Sequence, residues 1–167
     1  ATESVFAGDI FVNLAATEDQ QRSDVVVASY GYIYTIMSFR DGANGGFRIS
    51  VSKDHGLSFQ ELHFETYSTY YYYDMKINVI GYDSTTAKLL VSGVLGWTAN
   101  HNAFLLSFDP NTGSLVDNWV IEAAGADSVY AVDMACDWYQ PSWIASPFSM
   151  VMAYSKFGAP QDSVITN

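Results

Sequence analysis

Ser52-Lys53-Asp54-His55-Gly56-Leu57-Ser58-Phe59 separates two runs whose side chains alternate with period two, residues 46–51 before it and 60–64 after it. Two such runs around a short Asp/Gly segment predict a β-hairpin. The carboxylate of Asp54 is suited to accept backbone N–H bonds inside the turn, and Gly56 supplies the positive φ of a tight reversal. Ser52 and Ser58 are placed to tie the two arms together, with the Phe59 ring folded beneath the turn.

Working outward, residues 24–28 (Asp-Val-Val-Val-Ala) form a short β-branched run, as in a strand buried on both faces. Residues 32–39 read as a second strand, 47–52 as a third and 59–65 as a fourth, with a turn over 40–45. The signals then recur at 75–81, 87–94, 103–108 and 115–121, with a loop over 97–102 and an Asp-Pro-Asn-Thr-Gly turn at 109–113. Asp109 takes the place in this unit that Asp54 holds in the first, a step of 109 − 54 = 55 residues. A third unit follows with strands at 130–137, 149–155 and 162–166. The period is that of a propeller blade. Pro110, Pro141, Pro147 and Pro160 are all expected between strands. Residues 17–22 read as a polar connection, 9–14 as a further strand, and no segment reads as a helix.

The turn resembles the Asp-box, Ser-x-Asp-x-Gly-x-Thr-Trp, which lies between the third and fourth strands of blades in sialidase-like β-propellers. Ser52, Asp54 and Gly56 match it, while Ser58 stands for Thr and Phe59 for Trp. The resemblance spans about residues 20–167 but carries only one sharp motif. It implies an all-β fold, a propeller fragment of about two and a half four-stranded antiparallel blades, against four to eight in a closed ring. The units are 1–22 (a leader or closing strand), 23–66 (the blade with the Asp-box), 67–125 and an incomplete 126–167. Exposed strand edges would then need partners. These are the remaining blades of a longer protein or other copies of the chain; a β-sandwich is the alternative fold.

At 167 residues, 49% hydrophobic and 16% aromatic, the chain is long and apolar enough for a real core. Its net charge of -11 argues against nucleic acid and against an anionic membrane surface. No apolar run is long enough for insertion as a membrane helix, and no stretch reads as a signal peptide with a basic start and an apolar core; residues 1–4 are compatible with a mature terminus left by cleavage. Cys136 is the only cysteine, so no internal disulfide forms.

The resemblance further implies a secreted or cell-surface protein. Its expected role is that of a noncatalytic scaffold for interaction or display. Part of a sialidase-like glycoside hydrolase and a self-assembling carbohydrate-binding lectin are the alternatives. A sialidase site grips a carboxylate with arginines, because the guanidinium fork matches that group. Arg22 is the one arginine placed before an inner strand, with Asp24 as a neighbouring acid; Arg40 falls in a turn and Arg48 in a third strand. The bland reading, an ion pair at the strand entry, carries more weight, so no catalytic residue is assigned. For glycan binding the candidates are Tyr71 and Tyr73 in the run 70–73, and Trp97 with Asn100, His101 and Asn102. Aromatic faces beside amides suit sugar rings, although a tyrosine run entering a strand also serves simply to fill space on both faces. His55, His63 and His101 lack metal-ligand spacing, so no metal site is expected. No cofactor is expected either; a structural calcium is compatible with the oxygen-bearing residues 41–45, which lack the acidic density of a calcium loop.

Overall fold

A computed structural model describes residues 19–41, 44–68, 71–81, 83–97, 100–121, 129–138, 148–156 and 159–166, with side chains described chiefly in the first two sheets. All regular structure among these residues is β-strand, in three antiparallel sheets. The first sheet runs in order β1 (Asp19–Val27), β2 (Ile33–Asp41), β3 (Asn44–Ser52) and β4 (Gln60–Ser68). The second repeats that order with β5 (Tyr71–Ile80), β6 (Lys88–Trp97), β7 (Asn100–Phe108) and β8 (Leu115–Ile121). The third contains β9 (Val129–Trp138), β10 (Phe148–Lys156) and β11 (Ala159–Thr166), with β10 in the centre.

Most strands lie within a few residues of their expected positions, and four expectations change. Residues 19–22 belong to β1 and pair with β2, because tertiary pairing satisfies their backbone despite their polarity. The supposed turn over 40–45 shortens, since Asp41 pairs with Asn44 and Arg40 with Gly45. The supposed loop over 97–102 likewise becomes strand, with Trp97 paired to Asn100 and Gly96 to His101. Pro160 lies inside β11, opposite Ser155, at a sheet edge where a missing N–H is tolerated. The strand expected at 9–14 falls outside the described residues.

The first two sheets each contribute one face to a shared core. Pairing of Tyr34 with Val51, Ile36 with Ile49 and Ser38 with Phe47 sets those side chains on one face of the first sheet. Register places Ile77, Val91 and Leu106 together on the facing side of the second. Phe47, fully buried, meets Tyr72 edge-on at 5.0 Å and Phe108 at 6.2 Å across this interface. The other face of the second sheet carries Leu90, Val94 and Leu105, all buried, and β9 packs against β5, β6 and β7. The first strands thus lie in sequence, β5 against β1 and β9 against β5.

The turns at one end also knit the sheets. Ser29 Oγ donates to the Gly81 carbonyl at 3.3 Å. Tyr34 OH donates to the Pro110 carbonyl at 3.2 Å, and burial pushes its phenol pKa well up. Within the second sheet, Asn111 Nδ2 donates to the Ser84 carbonyl and ties its two turns together.

Candidate functional site

The predicted β3–β4 turn forms with the expected bonds. Ser52 Oγ donates to Asp54 Oδ1 at 2.7 Å and accepts from Gly56 N at 2.8 Å. Ser58 N donates to Asp54 Oδ1 at 2.9 Å, and Ser58 Oγ donates to Oδ2. His55 and Gly56 both take positive φ, 59° and 89°. Phe59 is half-buried and His55 exposed. Donation by Ser58 and then Ser52 holds the Asp54 carboxyl down to about 2. Asp109 does comparable work between β7 and β8, accepting from Asn111 N and Thr112 N at 2.8 and 2.9 Å. The Asp54 and Asp109 carboxylates are engaged by donors of their own turns and so act as braces.

The opposite end of the sheets carries the candidate binding groups. Tyr71 and Tyr73, two apart in β5, share a face and lie 6.3 Å apart. The His101 ring meets Tyr73 at 5.9 Å in a T-shaped contact. Gly96, the register partner of both Tyr71 and His101, makes this approach possible. A Cβ there would stand 2.6 Å from His101 Cδ2 and 2.7 Å from Tyr73 Cε2. Arg40, reaching over from the first sheet, sets its guanidinium 4.4 Å from the Tyr71 ring centroid. Its Nη2 also donates to Tyr71 OH at 3.1 Å. Guanidinium, two phenols and an imidazole therefore form one aromatic row across two sheets. Such a row can stack on a ring and hydrogen-bond to its substituents.

The row joins three of the six residues expected to bind ligand. Asn102 is paired to Leu95 and belongs to the face opposite His101, because residues 101 and 102 lie in a strand. Trp97 and Asn100 close the β6–β7 hairpin, and their side chains lie outside those described. The sequence places Arg40 in a turn, whereas β2 continues through it, and only the packing of β2 beside β5 brings it to Tyr71.

Arg22 lies in β1 opposite Ser38, next to a bulge. Asp24 Oδ2 accepts from Ile77 N at 3.1 Å, which ties β1 to β5. Its carboxylate thus has a structural partner in the neighbouring sheet. No group of three His, Cys, Asp or Glu among the described residues is arranged to hold a metal ion. No helix among them is long and apolar enough to cross a membrane.

Compared with known proteins, the chain matches no family model, no curated protein and no solved structure.

Proposed function

We propose that the chain is a noncatalytic scaffold, consecutive blades of an Asp-box, sialidase-like β-propeller that acts outside the cell or at its surface. One observation carries the reading. Up-and-down antiparallel sheets stack in chain order, with the first strand of each against the first strand of the next. A propeller has this arrangement around its axis, whereas a sandwich needs only two facing layers. The braced Asp54 turn between third and fourth strands supports the same reading. Fold alone does not decide function, and the aromatic row favours a glycan as the ligand displayed to. The hydrolase reading draws no support from Asp24, whose carboxylate is engaged by a backbone amide.

Two assays on the purified chain test the proposal. A panel of chromogenic glycosides, sialosides included, is expected to give no turnover. Turnover abolished by Arg22→Ala would replace the scaffold with a hydrolase. On a glycan array, binding is expected to fall at least about tenfold in Tyr73→Ala with the circular dichroism spectrum unchanged, the loss of one stacking contact with its hydrogen bond. Binding indifferent to Tyr73 and Tyr71 would remove the row from the function.

A further inference from the structure

A second site lies away from the aromatic row, between β4 and the outer half of the second sheet. It is a cleft of about 340 Å³, a volume suited to a small molecule. Tyr72, Leu95, Phe104 and Leu106 form its floor; Glu65 and Tyr67 of β4 stand on one side, Leu115 and Asn118 of β8 on the other. The rings are already ordered. Tyr72 meets Phe104 edge-on at 5.6 Å, and Tyr67 lies 6.4 Å from Tyr72. Their positions are therefore set by packing, and little ordering entropy remains to be lost on binding.

Among the described residues that line the cleft, Glu65 is the one carboxylate and none is a lysine or arginine. On the core side Glu65 Oε2 lies 3.3 Å from His63 Nε2, while His63 Nδ1 donates to the Gly113 carbonyl at 2.9 Å. The His63 bond, with a further one from Tyr67, lowers the Glu65 pKa and keeps the carboxylate ionised. The carboxylate thus stands at a fixed place beside aromatic faces. An ionised acid beside aromatic rings attracts a cation with an apolar body, since the ring faces and the carboxylate both favour positive charge.

We infer that the cleft between β4 and the second sheet binds a small organic ammonium ion, its head at Glu65 and Tyr67 and its apolar body on Phe104 and Leu106. The inference does not depend on the propeller reading. The test is a titration of the full chain with benzyltrimethylammonium at neutral pH, where the carboxylate is ionised. It is followed by amide shifts in ¹H–¹⁵N spectra. Shifts are expected at Leu95, Phe104 and Leu106. The neutral counterparts benzyl alcohol and 3,3-dimethylbutan-1-ol are expected to bind at least about tenfold more weakly.

Glu65→Gln is expected to weaken the ammonium about tenfold and leave the neutral probes unchanged. Should that variant disturb the fold, Tyr67→Leu keeps the apolar wall, removes the ring face and is expected to weaken the ammonium selectively. Neutral probes binding as tightly as the ammonium would overturn the proposal. So would shifts that map outside the cleft, or no shifts at all.

Discussion

Asp54 holds its turn through a single carboxylate that accepts from Ser52 and twice from Ser58. Asp83 does the same for the β5–β6 turn, accepting from the amides and hydroxyls of Thr85 and Thr86. Hydroxyl and amide donors favour the charged form, and both carboxyls are held down to about 2. Asp109 is also lowered, mainly by the amides of Thr112 and Asn111. In the unfolded chain these groups protonate near the ordinary aspartate value of about 3.9. Between the two values the unfolded state binds more protons, so stability falls with falling pH. The contribution is complete above about pH 4 and lost as pH drops through about 2, and solvent screening at these exposed sites keeps it modest. Thermal melts of wild type and Asp54→Asn are expected to differ at neutral pH, with the variant melting lower. The two should converge toward pH 2. A constant gap across the range would mean that the charge of Asp54 does not brace the turn.

At the scale of elements, the junction between β4 and the β7–β8 turn joins the first two sheets. Gly113 sits there at φ 69°, against the carbonyl of Leu62, and its own carbonyl accepts from His63. A methyl at this position collides with the Leu62 oxygen, and the backbone conformation already disfavours a side chain. Gly113→Ala is expected to cost about 1–3 kcal/mol in denaturant unfolding. An unchanged midpoint would mean that the two sheets do not meet through this turn. Alternation within the elements was legible from the chain. Tyr71 and Tyr73 point one way, and Tyr72 points into the core beside Phe47. The separation of His101 from Asn102 was hidden by polar residues that read as a loop. Such residues lack strand propensity, and cross-strand pairing overrode it.

In the whole molecule, among the described residues, β1 exposes apolar side chains on the face of the first sheet turned away from the second. Register sets Val25 and Val27 of β1 on the same side as Thr35 and Ile33 of β2, away from the core. Val25 is 59% exposed and Val27 66%. The corresponding face of the second sheet, bearing Ile77, Val91 and Leu106, is covered by the first. A further sheet of the same build would complete the first in the same way. Such head-to-tail contacts between copies close into rings or continue as filaments. The purified 18.4 kDa chain is expected to show a native mass that is a multiple of its denatured mass. Val27→Lys should return it to the single-chain mass without changing its circular dichroism. A wild-type chain that stays single at high concentration would count against the propeller reading.

Residues 46–64 determined a hairpin by themselves. The alternation and the Asp54 turn are local, and a turn closed by side chains within six residues needs no distant partner. The recurrence of Asp109 after 55 residues made the second sheet legible on the same ground, because one supersecondary unit is repeated. What only the tertiary structure decided is which units touch. The Arg40–Tyr71 contact joins residues 31 apart, and the Glu65 cleft joins β4 to strands far along the chain. Both arise where one sheet lies against the next. That placement is set by which apolar faces bury each other, and no local pattern records it.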